Sequence, residues 1–336
     1  MKTRTFIKHF IKSKMFTLIA LLVLLIIVFT VITNGQFIAP NNLRSVLQTT
    51  SVIGLLTVGV GALMIAGYVD LSVGGVGSMC AILCAVMMRD GAPVWLSIIS
   101  SIVLGGICGA INVFLINKLN FQPFIATLAM AQIAEGFAYV FSKAQLIRIN
   151  STFLSTIGGG RLLKYIPYSV LIVIAAFIIY ALLMNKTRFG RSVYMIGANP
   201  EASRLSGLHP KRITTILFIN SGVMAAIAGL LLTARVGTAT ANGIVNTRFA
   251  GITAAVLGGI SFGGGTGGMA GAFVGLLILG SFNNAMTLIG IHAYLQQTAS
   301  GLLLIVALVI DYIIIRRRRK LSLLSAAATE DGGDNK

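Results

Sequence analysis

The sequence predicts an all-α polytopic membrane protein of about ten transmembrane helices, some interrupted by glycine, with a short cytoplasmic helix between two spans. Two observations carry this. Hydrophobic residues make up 56% of the 336 positions and charged residues only 10%, against about 25% charged in soluble chains. The charges also gather in clusters, separated by apolar runs long enough, at about 20 residues, to cross a bilayer. A water-soluble globule is excluded, and ten spans leave no room for a sizeable soluble domain.

The elements follow from the runs. Residues 1–14 form a basic N-terminus, and the run from Met15 to Thr33 follows it. A secretory signal core is roughly 7–15 residues; this run is longer, and Thr33-Asn34-Gly35-Gln36 lacks a small-x-small cleavage site, so it reads as a retained first span. Further helices are expected at 48–67, 74–88, 94–117, 123–142, 167–184, 213–234, 247–261, 267–288 and 296–315. The transmembrane domain thus covers 15–315, with loops at 143–166 and 185–212 and a basic, disordered tail at 316–336. An even number of crossings puts both termini on one side. That side receives 18 basic residues and the other eight, the bias of a chain whose termini are cytoplasmic.

The net charge of +18 therefore reports topology and contact with anionic lipid, not nucleic acid. Cys80, Cys84 and Cys108 lie inside apolar runs with no His or carboxylate at ligand spacing, so neither disulfide nor metal is implied. Eight acids and three histidines assemble no catalytic constellation. The Gly263–Gly268 run lacks the Gly-Lys-Ser/Thr ending of a P-loop, so any ATP hydrolysis belongs to another chain. No cofactor and no enzymatic activity are expected.

Two glycine-rich breaks stand in different halves: Gly67-Tyr68-Val69-Asp70-Leu71-Ser72-Val73-Gly74-Gly75 and Gly258 through Gly268. Paired interruptions of this kind suggest a pseudo-repeat with broken helices along a solute path; for the second, close packing and a tight turn are the favoured reading, ahead of contact with a cytoplasmic partner and then with solute. Asp70 is a carboxylate at membrane depth, where it must be paired, hydrated or useful; capping the following helix accounts for it without a solute. Asp70, Ser72, Gly74, Glu135, Asn283 and Asn284 are the candidate broken-helix and path residues. Gln132, Asn220, Gln296 and Gln297 are further polar groups near membrane depth, able to bond a hydroxylated solute or each other's helices. Asp311 sits within reach of the Arg316 cluster.

The 185–212 loop writes its own helix. Asn199 is a good N-cap, Pro200 suits the first helical position, Glu201 favours the positive helix end and Gly207 suits the stop. Two turns are unstable alone in water, so this helix packs on its own protein or docks to a partner.

Gly67-Tyr68-Val69-Asp70-Leu71-Ser72-Val73-Gly74, Thr187-Arg188-Phe189-Gly190, Gly197-Ala198-Asn199-Pro200-Glu201-Ala202-Ser203-Arg204-Leu205-Ser206-Gly207 and Ala254-Ala255-Val256-Leu257-Gly258-Gly259 occur in that order. The chain resembles the permease subunits of ribose/xylose/galactose-type ABC sugar importers from about Asn41 to Ile315. The resemblance implies a permease dimer, homomeric or with a related chain, in the bacterial cytoplasmic (inner) membrane. It also implies a separate ATPase with two nucleotide-binding domains and an extracytoplasmic binding protein that delivers the sugar. By the same resemblance Asn199, Pro200, Glu201, Ala202, Ser203, Arg204, Leu205 and Gly207 form the coupling helix. One stretch departs from it: Arg248-Phe249-Ala250-Gly251-Ile252-Thr253 stands where many sugar permeases have Glu-Leu-Asp-Ala-Ile-Ala. Nucleoside or branched-chain amino acid permeases therefore remain alternatives, as does an ion-coupled carrier using Asp70 and Glu135, or a passive channel or scaffold. Arg148, Arg161, Lys164 and Arg248 lie on the side opposite the basic clusters, where they pair with acids of the binding protein or are solvated loop charges.

Overall fold

The computed structural model describes residues 14–162 and 165–331. They form thirteen α-helices and two minimal two-stranded ladders. Eight helices are long and apolar enough to cross a membrane. These are α1 (Lys14–Ile32), α2 (Pro40–Ile65), α4 (Val94–Leu119), α5 (Pro123–Ser142), α7 (Tyr168–Lys186), α10 (Pro210–Val236), α12 (Met269–Leu288) and α13 (Ala293–Asp331). Two shorter apolar helices complete the ten expected runs: α3 (Val73–Arg89) and α11 (Arg248–Leu257). At 1.5 Å per residue, α3 covers about 25 Å and α11 about 15 Å, less than the roughly 30 Å hydrocarbon core. The protein is an all-α polytopic membrane protein, and two of its ten runs hold helices shorter than the hydrocarbon core is thick.

Helix ends follow local chemistry. Pro40 occupies the first position of α2 and starts it eight residues before the expected 48, within a polar stretch that reads as loop. The last helix runs past the basic cluster to Asp331, so the stretch expected to be a disordered tail is helical that far. No Gly or Pro interrupts Leu302 to Asp331, and Leu and Ala are strong helix formers.

Alternation of direction brings Lys14, Ile65, Leu119, Lys186–Pro210, the 258–268 break and the end of α13 to one face, the N-terminal face. Hydrogen bonds tie these segments together. Gly265 N–H donates to Ile65 O (2.8 Å), Asn117 Nδ2 to Lys211 O (3.0 Å) and Ser261 Oγ to Asp311 Oδ2 (3.1 Å). On the opposite face, β1 (Ile147–Arg148) pairs antiparallel with β4 (Thr238–Ala239). There α6 (Thr152–Gly159) and the ladder of β2 (Arg161–Leu162) with β3 (Ile166–Pro167) cap the bundle.

The core is built around α2, almost wholly buried from Thr50 to Ile65 and packed on α7, α10, α11 and α12. Helices α4 and α10 approach closely: a Cβ on Gly222 would stand 2.0 Å from Gly105 O, so only glycine permits that approach. The segment 237–247 turns inward from the opposite face, where Ile244 N–H donates to Ser78 Oγ (3.1 Å) and Val245 O lies against Gly74, leaving no room for a side chain there.

Candidate functional site

Two helices form the loop on the N-terminal face. The first, α8 (Arg188–Ala198), is capped by Thr187, whose hydroxyl accepts from Gly190 N–H (3.1 Å); it buries Val193 and Ile196 and part of Phe189. The second, α9 (Pro200–Leu205), is capped by Asn199, whose Oδ1 accepts from Glu201 and Ala202 N–H at 3.0 Å each. Gly207 follows at φ +83°, the left-handed stop expected of it. Ser203 faces inward, donating to Asn199 O (2.8 Å), while Leu205 is 87% exposed and Glu201, Ala202 and Arg204 are exposed with it. Glu201 and Arg204 form no ion pair; among the described residues the one such pair is Arg89–Asp90 (2.9 Å) in a loop of the opposite face. That pairing holds the Asp90 carboxyl below its ordinary range.

The root of α9 meets both glycine breaks through main chain. Gly197 stands against Ile65 O and Gly265 N, and Gly264 (φ +83°) against Gly67 and Gly197 O. Tyr194 on α8 donates to Gly267 O (2.9 Å), and burial pushes its phenol up from its ordinary range. The 258–268 run is thus a tight turn at a backbone junction.

Asp70 is fully buried. Its carboxylate accepts from Ser72 N–H (2.8 Å), Ser72 Oγ (2.5 Å) and Ser221 Oγ (2.7 Å), and Asn112 Nδ2 donates to Ser72 Oγ (2.9 Å). The N-cap position of α3 is Ser72 and makes no side-chain cap, so Asp70 closes a turn and locks α10 to the break instead of capping α3 as expected. Asp70, Ser72 and Gly74 lie together in a closed, packed place.

Asn283 and Asn284 lie elsewhere, in a cavity of about 740 Å³ bounded by α2, α11, α12, α13 and the segment before α11. Its wall includes Thr49, Asn246, Asn283, Gln296, Gln297 and Ser300, and no charged residue. Several of these groups are already oriented: Ser300 Oγ donates to Asn283 Oδ1 (2.9 Å), Thr287 Oγ1 to Gln296 Oε1 (3.2 Å) and Asn42 Nδ2 to Asn284 Oδ1 (2.9 Å). Asn220 is outside this cavity and bonds Tyr180. Glu135 and Gln132 are also outside it. They stand about midway along α5 with Gly136 and Tyr139 on one outward stripe, Glu135 part-exposed and, among the described residues, in no ion pair.

Arg148 and Arg161 are exposed on the ladders of the opposite face, and Lys164 lies outside the described residues. Arg248 differs from them. It opens α11 with its guanidinium carbon 5.6 Å from the Phe249 ring centre, and its Nε and Nη1 are buried without a hydrogen-bond partner. A part-buried side chain of this kind is poorly suited to docking another protein.

Residues 42–308 match a family described as the permease component of branched-chain amino acid transport systems. The chain is 32% identical to the ribose import permease of Bacillus subtilis (strain 168) over 298 residues, covering 88% of this chain and 92% of that one. It is 31% identical to the L-arabinose ABC transporter permease of Azospirillum brasilense, covering 80% and 79%. With the L-arabinose transport system permease of Escherichia coli (strain K12) it shares 33% identity, covering 78% and 80%. The chain belongs to this family of ABC importer permeases. No solved structure matches it.

In this permease several elements escape sequence reasoning. Helix α8 was legible only as part of a loop, although Phe189, Val193 and Ile196 at helical spacing after Thr187 are a usable signal. The distant partners of Ser72 and Asp70 left none: Asn112, which bonds Ser72, and Ser221, which bonds Asp70, are ordinary polar residues in apolar runs, brought there by folding.

Proposed function

We propose that the permease translocates a simple sugar, delivered by an extracytoplasmic binding protein and driven by a separate ATPase with two nucleotide-binding domains, in the bacterial cytoplasmic membrane with both termini cytoplasmic. The observation that carries this reading is α9. A capped helix of six residues cannot persist unsupported; it is held by its root and turns Leu205, Ala202 and Arg204 outward. Such a surface is completed by another protein, and the ATPase is its occupant. The names of the relatives, ribose and arabinose permeases, support a sugar as the cargo. So does the 740 Å³ cavity, whose largely apolar wall carries amides and hydroxyls but no charge. Those groups suit a neutral polyol, whereas a zwitterionic amino acid calls for charged partners. Asn283 and Asn284 belong to this path, and Asp70, Ser72 and Gly74 to the structure of the broken helix beside it.

The permease works as a dimer. A carboxylate at the centre of a span costs about 2.5–3.5 kcal/mol on insertion scales, a cost Glu135 sheds by gaining hydrogen-bond donors, which the exposed Gln132 and Tyr139 stripe of a second copy supplies. Arg148, Arg161 and Lys164 meet acidic lobes of the binding protein. In proteoliposomes holding the complete importer, Leu205→Asp abolishes uptake and substrate-stimulated ATP hydrolysis together while leaving the permease folded and inserted. Normal uptake and normal co-purification of the ATPase with Leu205→Asp would refute the coupling role.

A further inference from the structure

On the flank of α4 and α10 lies a groove of about 530 Å³. Val113, Phe114 and Ile216 form its apolar wall, and Lys118, Lys211 and Arg212 stand at its end on the N-terminal face. No acidic residue lines it. The Lys211 ammonium donates to the Asn117 carbonyl oxygen (3.0 Å), and none of the three cations joins an ion pair among the described residues. Phe114 and Ile216 are each 53% exposed, and the outward face of α4 continues from Phe114 through Ile111, Ile107, Val103 and Ile99, all similarly exposed. The groove therefore opens onto the membrane-facing stripe of a spanning helix, with its cations at the depth of the headgroups.

We propose that this groove is a binding site for an anionic phospholipid, its phosphate held by Lys118, Lys211 and Arg212 and an acyl chain laid along Phe114 and Ile107. Basic pockets between spanning helices at the headgroup level bind such lipids. The neighbouring hollow beside α9, lined by Glu201 as well as Arg204 and Leu205, has the mixed charge of a protein contact. The uncharged, hydrocarbon-facing wall of this groove favours lipid. The proposal rests on the membrane-spanning fold and not on the importer reading, so either can fail alone.

The test is native mass spectrometry of the purified permease offered equal phosphatidylglycerol and phosphatidylcholine. Phosphatidylglycerol is retained preferentially, and the variant Lys118→Gln/Lys211→Gln/Arg212→Gln loses that preference by about tenfold or more, since each basic residue near an anionic surface contributes about fivefold. A control variant, Lys186→Gln/Arg188→Gln/Arg191→Gln, keeps it. Equal loss in both would show general attraction to a basic face and overturn the site. Displacement of the lipid by millimolar inorganic phosphate would make it a free-anion site, and release on assembly with the ATPase would make the groove a protein contact; either overturns the proposal. Should the triple variant misfold, Phe114→Trp in a Trp95→Phe background decides. Its fluorescence is quenched more by brominated phosphatidylglycerol than by brominated phosphatidylcholine, and equal quenching refutes the site.

Discussion

Replacing Gly197 by alanine tests the backbone junction at the root of α9. The added Cβ would stand 1.9 Å from Ile65 O and 2.5 Å from Gly265 N, inside the 2.8 Å hydrogen bond that joins those two atoms. A carbon and a carbonyl oxygen settle at about 3.3–3.6 Å, so the loop must retreat by well over 1 Å and the bond must break. Forced overpacking costs about 1–3 kcal/mol, and a backbone hydrogen bond contributes about 0.5–1.5 kcal/mol. The expected loss is about 2–4 kcal/mol. Gly207→Ala is the matched comparison: Gly207 has φ +83° and open space around it, so alanine there meets only the left-handed penalty of about 1–2 kcal/mol. Thermal unfolding in detergent, followed by size-exclusion chromatography, should rank wild type above Gly207→Ala above Gly197→Ala. Gly197→Ala should also lose uptake in the assembled importer. If it is as stable as wild type, or more stable than Gly207→Ala, the main-chain junction is not what holds α9.

Asp70→Ala leaves Ser72 N–H, Ser72 Oγ and Ser221 Oγ without their acceptor; at about 1–3 kcal/mol for each stranded buried group, the loss is at least about 3 kcal/mol in thermal unfolding, and Ser221→Ala loses clearly less. Tyr194→Phe removes the bond to Gly267 O, about 0.5–1.5 kcal/mol. Because burial raises the Tyr194 phenol above its ordinary value of 10.0, its contribution is complete below that pH and declines as pH rises through the raised folded value. Wild type should therefore destabilise more than Tyr194→Phe on titration above pH 10, and parallel curves would contradict this. For topology, Ser155→Cys, exposed on the opposite face, should react with an impermeant maleimide from outside, and Ser206→Cys, exposed after α9, only after permeabilisation. Ser203 is 2% exposed and unsuited to such labelling.

The ten apolar runs were legible because burial in a bilayer imposes one demand, length with few charges, on each run separately. The α9 helix was legible for a similar reason: Asn199, Pro200, Glu201 and Gly207 act on their own neighbours. Elements that depend on distant chain were not. The inward turn of 237–247 is held by Ser78, and β1 exists only because 238–239 arrives beside it. Asp70 could be read as a residue in need of partners but not as the partner of Ser221, 151 positions away. The split of the candidate path residues has the same origin. Asn283 and Asn284 face a cavity assembled from four helices and the segment before α11, whereas Ser72 and Gly74 are closed off by contacts that come from α4 and from 244–245.

The cavity wall carries a further consequence. Its polar groups are amides and hydroxyls, none of which gains or loses a proton between about pH 4 and pH 9. Acidification of the surroundings leaves that wall electrically unchanged, so the work of moving a neutral solute past it is the same in acid and in alkali. Among the described residues that line it, none is Asp, Glu, His, Lys or Arg. On the solute path proposed here, the force that opens or closes the wall arrives mechanically, through the helices that bound it.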